Sequence, residues 1–287
     1  MKNVLRALVY DGQVSLTLID ATEIAQEGIK LHNLSPASGY VFGKALSAMS
    51  FMSACLKEDG GEISLSLKTD GACGEIAVSG NRALRMRGYI DNTQLSGEGN
   101  AETEKRALGE NGSLTIIRDD GYSRPFVGAC ALPKDGGIDE AFEEYYRISE
   151  QLPTYIATQV NMDGNTCVFA GAAVLQPLPF ADEATLEKVR SFDLKALLLA
   201  LKTKGMDNLE EVASEHFERE EGVWETRRAV YKCNCSRRYL TRVLVSLGEE
   251  QLRAIIKEEG AARIHCHYCN TDYEFTDEDA DMLFSRQ

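Results

Sequence analysis

The sequence is short of the residues that mark several common protein classes. It has four histidines and one tryptophan among 287 residues, and no Ser/His/Asp set or paired carboxylates stand out, so conventional acid–base catalysis has little to draw on. The sequence therefore predicts a protein that is not an enzyme. Cations are also scarce: 31 Lys and Arg face 45 Asp and Glu, a formal net charge of −14, which argues against wholesale binding to nucleic acid or an anionic membrane. A long uninterrupted apolar run is missing as well. The most apolar stretch, Ala37 to Leu56, is broken by Lys44 and by Ser38, Ser47, Ser50 and Ser53, and it predicts a buried, small-residue helix, not a membrane span. Ser35-Pro36 ahead of it suits an N-cap followed by a first-turn proline. The opening residues Met1 to Ala7 soon give way to polar, strand-like sequence. No secretory signal is read there, and the expectation is a cytosolic protein.

Hydrophobic residues make up 44% of the chain and charged residues 26%, enough for one large domain with one or two small modules. Residues 1–178 read as a mixed α/β domain. Val14, Leu16 and Leu18 alternate with polar residues, as do Ile63, Leu65 and Leu67, the signature of half-buried strands. Further strands are expected around Ile76–Val78, 82–90, 113–118, 126–132, 154–161 and 166–175, with a turn at Ser79-Gly80-Asn81 and a helix over Ile138 to Gln151 stopped by Pro153. Sequential strands with short turns predict an α+β fold with a largely antiparallel sheet.

Pro177 and Pro179 mark a boundary. Residues 179–230 form an expected helical linker: Asp182 to Leu201 carries Leu186, Val189, Phe192, Leu197 and Leu201 roughly on one face, and Lys202 to Glu225 is highly charged, with few core formers beyond Val212, Phe217 and Trp224. Such a segment folds only by packing on a neighbour and is expected to be metastable; on composition alone it reads equally as a solvated linker helix. Residues 231–287 form a small C-terminal module. Ser236 can cap one helix, Ser246 with Glu249 forms a capping box for a second closed by Gly260, and a strand follows from Ala262 to His265.

Eight cysteines are present, and four are clustered: Cys233-Asn-Cys235 and Cys266-His-Tyr-Cys269. Two close thiol pairs separated by about thirty residues are what one tetrahedral zinc site needs. In a reducing compartment clustered thiols point to metal or redox chemistry, not to structural disulfides. Four thiolates saturate the ion, so the expected Zn²⁺ is structural, one per chain, and it would staple a module whose core is small. Each pair is also spaced so that it can close on itself, which makes the site a candidate redox switch. Lys232, Arg237, Arg238 and Arg242 lie near the first pair; they can favour thiolate, or form a solvated helix face or a small nucleic-acid patch. His265 and His267 are read as bystanders with four cysteines available. Cys55, Cys73, Cys130 and Cys167 sit in apolar settings and read as small core residues, while Gly71 to Gly74 and Gly97 to Gly99 read as turns, not phosphate loops. A thiol–disulfide oxidoreductase working through Cys266 and Cys269 is a further alternative.

The cysteine signature, with Ser236-Arg237, Leu247-Gly248-Glu249-Glu250-Gln251-Leu252, Tyr273 and Phe275, resembles the zinc domain of the Hsp33 redox-regulated chaperones. The resemblance extends upstream through Asp11-Gly12-Gln13-Val14, Leu65-x-Leu67-Lys68-x-Asp70-Gly71, Arg87-Gly88-Tyr89-Ile90, Leu114 to Ile117, and Tyr145-Tyr146 to Pro153. Arg238-Tyr239-Leu240 departs from the more acidic run frequent in the family and leaves the four cysteines intact. The resemblance implies a cytoplasmic, ATP-independent holdase in which Cys233, Cys235, Cys266 and Cys269 hold zinc when reduced. Oxidation would then form the disulfides Cys233–Cys235 and Cys266–Cys269, release the metal and unfold the linker. Apolar surface so exposed would bind unfolding client proteins, and the activated form would be a homodimer, with no membrane or nucleic-acid partner.

Overall fold

A computed structural model describes residues 2–205, 208–218 and 224–284. The parts of the charged linker sequence at 206–207 and 219–223 lie outside the described residues. The chain divides into two compact units, Met1–Lys232 and Cys233–Gln287, and each is described by itself.

The first unit contains β1 (Val4–Val9), β2 (Val14–Asp20), α1 (Thr22–His32), α2 (Pro36–Ala54), β3 (Glu62–Thr69), β4 (Glu75–Asn81), β5 (Arg85–Ile90), α3 (Ala101–Leu108), β6 (Gly112–Asp119), β7 (Phe126–Ala131) and α4 (Ile138–Tyr145). It continues with β8 (Tyr155–Asp163), β9 (Thr166–Pro177), α5 (Glu183–Ser191), α6 (Leu194–Lys204), α7 (Leu209–His216), β10 (Glu225–Arg227) and β11 (Val230–Tyr231). Two sheets result, ordered β10-β1-β2-β9-β8 and β11-β5-β4-β3-β6-β7. Neighbouring strands are antiparallel except β11, which runs parallel to β5. The α+β class with antiparallel sheets is as expected from the strand alternation.

Helix α2 is the spine of this unit. Seventeen of its 19 residues are buried, and it contacts strands of both sheets. Ser35 caps it by accepting the Ser38 N–H at 3.2 Å, with Pro36 in the first turn. Its serines do not break it, because each finds a partner inside the protein. Ser47 and Ser50 donate to the carbonyls of Gly43 and Leu46 at 2.8 Å, and Ser38 donates to Asn92 O at 2.8 Å. Lys44 is buried too, and its ammonium donates to both carboxylate oxygens of Glu104 at 2.8 and 2.7 Å, with Asp139 3.6 Å away. Burial disfavours that ammonium, but Asp139 and Glu104 outweigh it and hold Lys44 above its ordinary range. This cluster fastens α2 to α3 and α4, since Glu104 also accepts the Ile138 N–H at 2.9 Å.

The first sheet is apolar on both faces. One face joins the core around α1 and α2. The other, carrying Leu5, Val9, Leu16, Leu18, Phe169 and Leu175, is covered by Val189, Leu197, Leu198, Leu201, Val212 and Phe217 from α5, α6 and α7. Phe217 stacks on Phe192 at 4.9 Å and meets Tyr10 edge-on at 5.5 Å.

Several local expectations need correction. The predicted helix from Asp182 to Leu201 is two helices, broken at Phe192-Asp193, where Asp193 caps α6 by accepting the Lys195 and Ala196 N–H groups. The helix over Ile138 to Gln151 becomes a π-helical turn from Tyr146 to Glu150. Ser79 to Asn81 belong to β4, not to a turn. Helices α1 and α3 escape the periodicity reading for physical reasons. Gly28 weakens the helical signal of α1 but is required, because a Cβ there would stand 2.8 Å from the Phe42 ring. At eight residues α3 shows too little of a repeat to be read from its pattern.

The second unit contains α8 (Arg237–Leu247), α9 (Glu249–Glu259), the hairpin of β12 (Ala262–Cys266) and β13 (Thr271–Phe275), and α10 (Asp277–Phe284). Its core is small: Leu240, Leu244, Leu252, Ile256, Ala262, Phe275 and Ala280. Ser236 caps α8 through the Tyr239 N–H at 3.1 Å, and Gly260 closes α9 in the left-handed region at φ 82°. The expected Ser246/Glu249 capping box does not form. Ser246 lies inside α8 and donates to Val243 O, and the N-cap of α9 is Gly248, whose φ of 95° suits glycine.

Candidate metal centre

The two cysteine pairs sit on two knuckles. Cys233 and Cys235 lie in the loop between β11 and α8, where Cys235 N–H donates to Cys233 Sγ at 3.4 Å. Cys266 ends β12, and a tight turn with Asn270 at φ 49° leads into β13, with the Cys269 N–H donating to Cys266 O at 3.2 Å. The two helices between the pairs return the chain so that all four Sγ atoms lie within 4.8 Å of one another. Cys233 Sγ is 3.8 Å from Cys266 Sγ, and Cys235 Sγ is 3.0 Å from Cys269 Sγ.

A tetrahedral zinc with sulfur at about 2.3 Å places its ligands about 3.8 Å apart, so the spacing and the soft donor set suit that ion. The electrostatics point the same way. Burial pushes the Cys233 thiol up to about 11 and raises that of Cys269. Burial also raises Cys235, but contacts with Cys269, Tyr273 and its other neighbours prevail and bring it down to about 7. Four sulfurs this close cannot all ionise without a cation among them.

Tyr273 is the neighbour that spacing arguments give no role. Strand alternation on β13 carries its phenol to 3.3 Å from Cys235 Sγ, and that contact raises the phenol well above its ordinary range. Arg237, expected near the thiols, is engaged elsewhere. It donates to Glu274 O and to both Asp279 oxygens at 2.7 Å, and its guanidinium lies 4.4 Å from the centre of the Phe275 ring. Arg238 and Arg242 are exposed. His265 pairs with Asp272 at 2.7 Å and its ring meets His267 at 4.9 Å; neither belongs to the cysteine cluster. Of the isolated cysteines, Cys73, Cys130 and Cys167 are buried and Cys55 is partly so. Burial lifts Cys130 to about 11 and Cys167 to about 12, which keeps them protonated and inert. Among the described residues no helix is long and apolar enough to cross a membrane.

Comparison with known proteins agrees with this architecture. The 33 kDa chaperonin of Acetivibrio thermocellus is 34% identical over 283 residues, covering 96% of this chain and 94% of that protein. The 33 kDa chaperonin of Clostridium novyi is 31% identical over 286 residues, covering 97% and 96%. The crystal structure of the 33 kDa chaperonin (heat shock protein 33 homolog) of Thermotoga maritima superposes with a TM-score of 0.82 at 24% identity, over 99% of this chain and 98% of that one, and so shares the fold. The model of the Hsp33 protein family matches residues 2–276. With that match running through both units and relatives above 30% identity along nearly the whole length, the chain belongs to the Hsp33 family.

Proposed function

We propose that this protein is a redox-controlled, ATP-independent holdase of the cytoplasm, with Cys233, Cys235, Cys266 and Cys269 as both metal ligands and redox switch. The observation that carries the reading is the gathering of four thiols on a module whose core, among the described residues, is a cluster of seven buried apolar side chains. A single core of that size supplies no more than about 3–5 kcal/mol, whereas coordination of a structural zinc is linked to folding by about 10–16 kcal/mol. When bound, the ion would supply charge neutralisation and a cross-link between the two knuckles.

Oxidation removes the donor set. One thiolate of each pair attacks one oxygen of a peroxide and keeps it as a sulfenic acid, while the O–O bond breaks and the other oxygen leaves as water. Its neighbour then displaces a second water to close Cys233–Cys235 or Cys266–Cys269, so each disulfide consumes one peroxide and two protons. Hypochlorous acid can serve as the oxidant instead, with chloride leaving in place of the first water and one proton consumed per disulfide. With the donors gone the module loses its main source of stability, and the preceding segment 179–230 is the metastable linker that follows it. Helices α5 to α7 cover one apolar face of the first sheet, so their departure would uncover a surface able to hold unfolding client proteins. The activated form is proposed to be a homodimer. Catalysis is no part of this reading.

A Cys233→Ser/Cys266→Ser variant tests it. It should stay zinc-free and suppress aggregation of a heat-unfolded client without oxidant. A variant that lacks zinc yet remains as inactive as the reduced protein contradicts the proposal.

A further inference from the structure

Residues 225–232 cross from the edge of one sheet to the edge of the other. β10 lies antiparallel to β1, pairing Arg227 with Val4 and Glu225 with Arg6, and β11 lies parallel to β5, pairing Val230 with Arg85 and Tyr231 with Met86. Between them Ala229 is fully buried. The Asn3 side chain holds both of its backbone groups: Ala229 N–H donates to Asn3 Oδ1 at 2.7 Å, and Asn3 Nδ2 donates to Ala229 O at 3.1 Å. The N–H groups of Val230 and Lys232 donate to Leu84 O and Met86 O at 2.9 and 2.7 Å.

Ala229 and Tyr231 both face the core around α1 and α2. The Tyr231 ring packs over Gly28 beside Phe42, 3.1 Å from where a Cβ on that glycine would stand. Its hydroxyl donates to Gly88 O at 2.9 Å, accepts the Gly88 N–H at 3.3 Å, and lies 3.2 Å from His32 Nε2. The strap is thus read in two ways at once: by main-chain hydrogen bonds along two strands, and by a socket that takes an aromatic side chain two residues after a small one.

We propose that the edges of β1 and β5, with the socket formed by Gly28, Phe42 and Gly88, are a peptide-binding site that the chain's own strap occupies in the resting protein. Its occupant after the strap detaches is an extended stretch of unfolded polypeptide carrying a small-x-aromatic triplet. The inference rests on the holdase reading and gives it a recognition mode. The strap pairs through three residues in β10 and two in β11, far fewer than the main strands it borders. Its last residue, Lys232, is joined directly to Cys233, so the strap is the stretch of the first unit nearest the switch in the chain. Its departure would leave two sheet edges with unpaired N–H and C=O groups, the arrangement that accepts an added strand. Main-chain pairing carries little sequence information, which suits capture of clients of unrelated sequence.

The test uses the full chain in three forms: reduced and zinc-loaded, oxidised, and reduced with Tyr231→Ala. The probe is a fluorescent peptide with the sequence of residues 225–232, followed by anisotropy and by hydrogen exchange of the Met86 and Gly88 amides. The peptide should bind the oxidised and Tyr231→Ala proteins about tenfold or more tighter than the resting one and slow exchange along β5. Methylating the peptide nitrogens equivalent to Val230 and Lys232, or replacing its tyrosine by alanine, should weaken binding about tenfold, the worth of one or two hydrogen bonds. If Tyr231→Ala fails to fold, Asn3→Ala loosens the strap and leaves the socket intact. A methylated peptide that binds as well as the parent, or β5 amides that gain no protection, overturns the site. An oxidised protein that suppresses aggregation but ignores the peptide contradicts this inference alone. If oxidised protein fails to suppress aggregation while reduced Tyr231→Ala captures the peptide, the holdase reading falls and the edge site stands.

Discussion

Replacing Phe275 by alanine separates a metal that folds the C-terminal module from one that merely decorates it. Phe275 is 1% exposed, the largest fully buried side chain of that module, and Arg237 lies against its ring. Truncating a buried phenylalanine costs about 3–5 kcal/mol, as much as a core of this size supplies altogether. The metal-free variant should therefore have no folded state, while the loaded one survives on the coordination energy. If folding and binding are one equilibrium, the whole cost appears in affinity: at about 1.4 kcal/mol per tenfold, zinc should bind roughly two to three and a half powers of ten more weakly. Competition with a chromogenic chelator measures that, with circular dichroism following helix content in the same titration. An affinity unchanged within about threefold, far below what that cost implies, would refute the linkage, because the module would then fold without the metal's help.

Other substitutions probe the remaining layers. Leu201 is fully buried under the first sheet; Leu201→Ala should cost about 2–5 kcal/mol and give partial aggregation suppression in the reduced protein, and a loss of stability without any gain of activity would sever the covering helices from function. Lys44→Met leaves Glu104 and Asp139 buried without their cation and should destabilise the first unit by about 3–5 kcal/mol in chemical denaturation; a loss below about 1 kcal/mol would mean that the cluster is solvated. Ser236→Ala removes the cap of α8, should cost about 1 kcal/mol, and should weaken zinc binding about fivefold in the same chelator assay.

The sequence made the site more legible than the fold around it. Cysteine spacing needs only two short knuckles and a foldable insert, and Ser236 and Gly260 announce the first helix's start and the second's end through local chemistry. Strands with clean alternation, such as Ile63 to Leu67, were equally plain. Tertiary context decided the rest. The Gly28 that hides α1 is imposed by Phe42 and Tyr231, residues distant in sequence. The serines and Lys44 that interrupt α2 are tolerated because Gly43, Leu46, Asn92 and Glu104 satisfy them. Ser246 and Glu249 had the spacing of a capping box, but α8 runs on through Leu247 and takes the serine into its own last turn. The engagement of Arg237 with Asp279 was invisible for the same reason, since charge proximity along the chain does not say which partner a guanidinium finds in space.

The central claim is that thiol oxidation, metal release and client holding are one event. Full-length reduced protein treated with hydrogen peroxide at elevated temperature should be followed at once for free zinc, for remaining thiols, and for aggregation of a heat-unfolded client. Zinc release, loss of four thiols and onset of aggregation suppression should share one time course and reverse together on reduction with zinc present. Zinc released and four thiols lost, with the client aggregating as if the protein were absent, would contradict it.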